Sequence, residues 1–230
     1  MERTLLMLHG AIGASDQLER LSGEFSGAYG EVLFFDFPGH GCKAAEDAEF
    51  SIPYFANALL AWMEEKNVVQ PDVFGYSMGG YVALYIASHF PGKLGKIVTL
   101  GTKFSWSGET ALKEVKMLDP EKIKEKVPAF AAALEKRHSP GDWKTVLSKT
   151  TGMMLELGRD PALKKQDFLR IATPVLLTVG GKDTMVGREE TEEVHRLVAG
   201  SQLHVFRDTP HPVEMIDAAL VSREALNFFR

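Results

Sequence analysis

The sequence predicts an α/β fold on a mostly parallel sheet, and three observations carry that prediction. Short apolar runs alternate with segments of helical length along most of the chain. The first run, Leu5-Leu6-Met7-Leu8, is apolar without interruption, which suits a strand covered on both faces. The third, Asp72-Val73-Phe74, passes through Gly75-Tyr76-Ser77-Met78-Gly79-Gly80 into the helical run Tyr81-Val82-Ala83-Leu84-Tyr85-Ile86-Ala87. A serine boxed by glycines between strand and helix marks a sharp turn whose two backbones pass too close for a Cβ.

The elements follow in order. After the first strand, Ser15-Asp16 predicts a capped helix reaching Phe25. Residues 31–36 read as the second strand, ending in the turn Pro38-Gly39-His40-Gly41. Ser51 caps a helix to about Lys66, with Pro53 tolerated in its first turn. The third strand leads through the serine turn to a helix that closes at His89, ahead of Pro91-Gly92. Residues 96–100 form another buried strand. From Thr102 to Arg170 the alternation stops, and helical pieces are expected over 109–118, 120–126, 128–137 and 140–157. Asp119 and Ser139 each precede a proline suited to a first helical position. The alternation resumes with a strand at 174–179, a helix over 187–198, a strand at 202–206 and a last helix from Pro212 or Val213 to Phe229. This gives a core of residues 1–101 and 171–230 with a helical insertion at 102–170.

Composition narrows the classes. A chain of 230 residues, 45% hydrophobic and 25% charged, has the make-up of a globular protein with a substantial core. A net charge of -5 speaks against a nucleic-acid or anionic-membrane partner. Cys42 is the sole cysteine and cannot form an internal disulfide, so a reducing, cytoplasmic location is expected. The run at 4–8 is too short for a signal-peptide core or a membrane span. No metal or other cofactor is expected, because no His, Cys or carboxylate cluster has ligand spacing. The first strand, its glycine loop and Asp36 mimic a dinucleotide unit, but Leu8-His9-Gly10-Ala11-Ile12-Gly13 lacks the first glycine of that fingerprint. Gly180-Gly181-Lys182-Asp183-Thr184 is no phosphate loop either, since Leu176 stands where its leading glycine belongs.

The chemistry lies at the predicted strand ends. A serine hydroxyl is a poor nucleophile until a base takes its proton, and a third group orients that base. In an open parallel sheet, functional groups gather at the carboxyl ends of the strands. His211 qualifies as the base, shortly after the last strand, and Asp183 follows the strand at 174–179 in a glycine-rich loop. The chain order Ser77, Asp183, His211 is that of an α/β-hydrolase triad.

Here the sequence resembles the α/β-hydrolase family, nearly end to end. His9-Gly10-Ala11 is similar to the family's oxyanion loop, and Asp36-Phe37-Pro38-Gly39-His40-Gly41 to its turn after the second strand. Gly75-Tyr76-Ser77-Met78-Gly79 resembles the nucleophile elbow, Gly181-Lys182-Asp183 the acid loop and Thr209-Pro210-His211 the histidine loop. The resemblance implies a three-layer fold with a mostly parallel sheet of about six strands, the family's first two being missing. It implies Ser77 as nucleophile, His211 as base, Asp183 as its orienting acid, and the amides of Ala11 and Met78 as the oxyanion hole. The histidine loop departs from the common Gly-His, because Pro210 and Pro212 bracket His211 and stiffen it. Asp208 is a rival acid closer in sequence, but one tight loop rarely lets a carboxylate reach the far ring nitrogen.

By the same resemblance the insertion is a cap over the active site. Its apolar residues include Phe104, Trp106, Met117, Phe130, Leu134, Trp143, Met153, Met154 and Leu157, most of which serve to hold the cap together. His9, Ile12, Tyr76, Phe104, Trp106, Met153 and Val186 are the candidate pocket residues. An apolar pocket with few charges is expected. The implied activity is that of a serine hydrolase cleaving a small, largely apolar carboxylic ester through an acyl-enzyme. A thioesterase, an amidase, a carbon–carbon bond hydrolase or a non-catalytic ligand-binding relative would carry the same motifs.

Overall fold

In the computed structural model, which describes residues 3–43 and 47–230, six strands form a single sheet. They are β1 (Thr4–Leu8), β2 (Glu31–Phe35), β3 (Asp72–Tyr76), β4 (Ile97–Leu100), β5 (Val175–Gly180) and β6 (Gln202–Phe206). Their order is β2-β1-β3-β4-β5-β6 and every pairing is parallel. The chain therefore winds outward from β1 to β2, then returns to the other side of β1 and continues through β6. The reversal leaves a crevice between the carboxyl ends of β1 and β3, where such sheets bind their ligands.

Strand side chains alternate between two cores. Leu6, Leu8, Val73, Ile97, Val175 and Leu177 pack against α2 (Ile52–Glu65), α3 (Met78–His89) and α9 (Arg188–Leu197). Leu5, Met7, Phe74, Val98, Leu100 and Leu176 face the short α1 (Glu19–Ser22) and α10 (Ala218–Phe229). That period of two, with both phases apolar, is what a strand covered on both faces requires. No helix among the described residues is long and apolar enough to cross a membrane.

Between β4 and β5 the regular elements are all helices: α4 (Gly108–Val115), α5 (Pro120–Lys126), α6 (Pro128–His138), α7 (Trp143–Arg159) and α8 (Lys165–Phe168). Leu118, Ile123, Ala131, Leu134, Trp143 and Leu147 give these helices a small core of their own. Phe104, Val146, Met153, Leu157 and Phe168 instead join the core over α3, so the insertion rests on the sheet's helices rather than standing apart.

Several helix starts differ from expectation, each for a local reason. The stretch from Ser15 to Phe25 breaks into two tight 3-10 turns around α1, because the Ser15 amide and hydroxyl both donate to Asp36 Oδ1 (2.7 and 2.6 Å) instead of capping a helix. Asp142, not Ser139, starts α7, its carboxylate accepting from the Lys144 amide. The last helix starts at Asp217, which accepts from the Leu220 amide; the extended backbone at Ile216 separates it from a single turn over Val213–Met215. Ser51 and Asp119 cap α2 and α5 as their sequences predict. The short α8 has no counterpart among the expected pieces.

The tightest packing lies at the β3–α3 turn. A Cβ on Gly75 would fall 2.6 Å from Gly80 Cα, and one on Gly79 would fall 2.4 Å from the Leu8 carbonyl oxygen. Both obstacles are backbone, so neither can swing aside. Gly79→Ala is therefore expected to cost about 1–3 kcal/mol or more. Gly108→Ala, at a helical position where a Cβ meets nothing within 4 Å, should be neutral or slightly stabilising. Denaturant melts of the two variants check this, and equal midpoints would contradict it.

Candidate active site

Ser77 sits between β3 and α3 with φ 49° and ψ −114°, a left-handed conformation that costs a non-glycine residue energy. Two hydrogen bonds hold it there. Its amide donates to the Leu100 carbonyl at 2.8 Å, and Thr102 Oγ1 donates to its own carbonyl at 3.0 Å. The strain lifts the serine side chain off the sheet edge into a cavity that His211 also lines.

Asp183 and His211 reach this cavity from the loops after β5 and β6. His211 Nδ1 donates to Asp183 Oδ2 at 2.7 Å, and the two side chains are only 9% and 1% exposed. The other carboxylate oxygen, Oδ1, accepts from the amides of Met185 and Val186, both at 2.8 Å. One oxygen thus shapes the acid's own loop while the other is kept for the histidine. Asp208 lies 73% exposed and pairs with Lys182 at 2.8 Å, away from the ring. Tyr76 stands behind His211, its ring centroid 5.5 Å from the imidazole and its hydroxyl donating to the His211 carbonyl at 3.1 Å.

The amide of Met78 opens α3 and has no carbonyl one turn earlier to bond. Among the described residues neither it nor the Ala11 amide has a hydrogen-bond acceptor, and both residues line the cavity beside Ser77. Ala11 is placed by a tight loop in which Gly13 donates to the Gly10 carbonyl at 3.1 Å and Ile12 takes φ 54°. A β-branched residue at positive φ is a genuine outlier.

The cavity itself measures about 50 Å³, room for about four water molecules. Of the expected pocket residues, Trp106, Met153 and Val186 line it. His9, Ile12, Tyr76 and Phe104 do not. His9 is buried under the Ala11 loop, and Ile12 packs against the insertion's core. Tyr76 supports His211 from behind, and Phe104 packs on Tyr81 and Phe168. Ile52, Tyr81, Met185 and an ion pair, Lys103 with Glu114, also stand on the cavity wall, unmarked by the sequence. Lys103 Nζ lies 3.3 Å from Glu114 Oε1, so the few charges of this largely apolar pocket include one internal ion pair. Nothing in the local pattern marks Glu114 as buried, because α4 carries other charges facing solvent.

Three histidines tie the loops around this site. His9 Nδ1 donates to the Gly10 carbonyl (2.8 Å), and its Nε2 accepts from the Phe37 amide (3.1 Å). His138, on α6, accepts from the Gly41 amide at Nδ1 (3.1 Å) and donates from Nε2 to the Ile12 carbonyl (3.0 Å). His40 lies between them, its centroid 5.1 Å from His9 and 5.9 Å from His138. Acceptance of an N–H bond requires a neutral ring, and burial enforces it. Desolvation brings His9 down to about 3 and pushes His40 and His138 below the usual histidine range.

Comparison with known proteins bears on the fold and the family. A family model described as alpha/beta hydrolase fold matches residues 3–136. A pimeloyl-[acyl-carrier protein] methyl ester esterase of Neisseria meningitidis serogroup C is 28% identical over 202 residues, covering 78% of this chain and 75% of that protein. The human serine hydrolase BPHL is 22% identical and covers 100% of this chain and 80% of its own length. Among solved structures, NosK from Streptomyces actuosus superposes with a TM-score of 0.85 at 22% identity, covering 100% of this chain and 98% of that one. The enol-lactonase from Burkholderia xenovorans LB400 gives 0.79 at 17% identity, with 100% and 92% covered.

The buried histidines make stability depend on pH in one direction. Unfolding releases the rings to titrate near 6.5, above their folded values, so the unfolded state binds more protons as pH falls below that point. Stability should be level above about pH 7.5 and decline below about 6.5, each ring subtracting up to about 1.4 kcal/mol per pH unit. For His9 the decline continues toward its folded value of about 3. Urea unfolding from pH 8 to pH 4.5 checks the slope; His138→Gln should flatten it, and an unchanged slope would remove His138 from the account.

Proposed function

The chain belongs to the alpha/beta hydrolase family and is a hydrolase, and from that premise we propose that it cleaves a small, largely apolar carboxylic ester through an acyl-enzyme. The observation that carries the reading is the buried Asp183–His211 pair, at 2.7 Å, opening with the strained Ser77 onto one cavity.

In this reading Asp183 Oδ2 holds the His211 proton on Nδ1, which leaves Nε2 free to accept one. Ser77 Oγ attacks the ester carbonyl as Nε2 takes its proton. The carbonyl oxygen becomes an anion and meets the unengaged amides of Ala11 and Met78, donors that need no reorganisation to receive it. Collapse of the tetrahedral centre breaks the bond to the alcohol oxygen, and His211 returns the proton to that oxygen. A water then repeats the sequence on the acyl-enzyme, yielding the acid and free Ser77.

Substrate size and character follow from the wall. Met153, Met154, Leu157 and Ile52 are apolar, and a volume of about 50 Å³ supports a small reacting group. The Neisseria meningitidis relative is named for a methyl ester, which supports an oxygen ester with a small alcohol. The segment between β4 and β5 acts as the cap, since Trp106, Glu114 and the two methionines of α7 supply much of the wall.

Ser77→Ala is expected to abolish labelling by a fluorophosphonate probe; labelling that persists places the nucleophile elsewhere. Asp183→Asn keeps Oδ1 for the Met185 and Val186 amides, so the fold should hold. Its new amide would face Nδ1 and favour the wrong ring tautomer, and kcat on a short ester should drop by about 10³–10⁴. A near-normal rate in stopped assays would show that another acid orients His211.

A further inference from the structure

We propose that the cavity beside Ser77 contains a neutral polar subsite, formed by Glu114 and Trp106 with Lys103, that takes a hydroxyl carried by the substrate. This deepens, and rests on, the reading of the cavity as an ester-hydrolysing site.

Glu114 on α4 is 3% exposed and faces the cavity from the insertion. Its Oε1 is engaged by Lys103 Nζ at 3.3 Å, while Lys103 also donates to the Met185 carbonyl at 3.0 Å. Its Oε2 is buried and has no hydrogen-bond partner among the described residues. The indole N–H of Trp106, on the wall of the same cavity, is likewise buried without an acceptor. Lys103 Nζ lies over the Trp106 ring at 5.9 Å from its centroid, within reach of a cation–π attraction. Buried polar atoms are nearly always paired in folded proteins. An unpaired acceptor and an unpaired donor, on two residues of one largely apolar wall, describe the group they are missing.

That group must give one hydrogen bond to Glu114 Oε2 and receive one from Trp106 Nε1. A hydroxyl carries both the donor and the acceptor that these two atoms lack. Charge excludes the alternatives. A carboxylate would set a second anion beside an oxygen that offers no proton, and an ammonium would meet Lys103. The Lys103–Glu114 pair sums to zero, so the subsite is built for a neutral polar group.

The test compares short hydroxyl-ended methyl esters with their methyl-ended isosteres, over a series of chain lengths, and repeats the comparison with the hydroxyl on the alcohol arm. At one length in one series, kcat/KM should favour the hydroxyl by about tenfold or more. Trp106→Phe and Glu114→Gln should each bring that ratio toward one. Turnover of both series at a ratio near one throughout overturns the subsite while leaving the hydrolase reading intact. If neither series turns over and Ser77 takes no fluorophosphonate, the hydrolase reading fails. Calorimetric binding of the paired esters to Ser77→Ala protein then decides the subsite: tighter binding of the hydroxyl partner, lost in the added Trp106→Phe change, supports it, and equal binding overturns it.

Discussion

The left-handed turn at Ser77 is the constraint on which the rest of the structure depends. A serine at φ 49° stays there only if the elements on either side cannot relax. Here β3 is locked between β1 and β4, and α3 lies so close to β1 that a Cβ on Gly79 would run into the Leu8 carbonyl. The strand order makes this possible. Because β1 and β3 are neighbours while β2 lies outside them, the loop bearing Ala11 and the turn bearing Ser77 meet at the same edge of the sheet. Asp183 and His211 then arrive from the ends of β5 and β6. No single segment contains the site; the winding of the sheet assembles it.

The loop bearing Ala11 needs support of another kind, since it belongs to no strand or helix. Neutral histidines provide it. His9 and His138 each offer an sp² nitrogen to a backbone amide and an N–H to a backbone carbonyl, and together they join the loops after β1 and β2 to α6. A side chain able to donate in one direction and accept in the other can bridge two irregular segments whose peptide groups find no ladder partners. The geometry depends on the rings remaining uncharged, which burial secures. The position of an amide proposed to meet developing charge is thus linked mechanically to the helical insertion.

The fold was legible because its signals are local and repeat. Continuous apolar strands, prolines after caps and glycines at the Ser77 turn each follow from backbone sterics a few residues long. The pairing of Asp183 with His211 was legible for a related reason: both stand just past strand ends, and the sheet brings strand ends together. The cavity wall was not legible in the same way. Tyr76 and Phe104 are aromatic and sit near the site in sequence, yet one braces His211 and the other fills the space under Tyr81. His9 sits in the loop that carries Ala11, but its ring turns away from the cavity toward Phe37. Sequence position places a Cα at the site; packing decides which way the side chain turns. Glu114 shows the same limit from the other side, for a carboxylate on a charged helix gives no sign that its particular face is turned inward. The broken stretch at 15–25 failed through competition, since Asp36 took the serine hydroxyl that would have capped a helix.

Two carboxylates near the cavity show how hydrogen-bond saturation separates roles. Asp183 is complete: two amides fill one oxygen and the histidine fills the other. A ligand can add nothing to it, so its work is to hold something else in place. Glu114 is half complete, with Lys103 on one oxygen and, among the described residues, nothing on the other, and the Trp106 indole on the same wall is equally unfilled. Leaving such atoms open costs the empty protein stability, on the order of 1–3 kcal/mol each. That cost is recovered only when a matching group enters, which makes the pair a means of discrimination: an apolar chain of the same size fills the volume but leaves both atoms unpaired. In the proposed reading the serine turn sets where the bond is cut, and the unsatisfied atoms on the insertion set which chain is drawn to it.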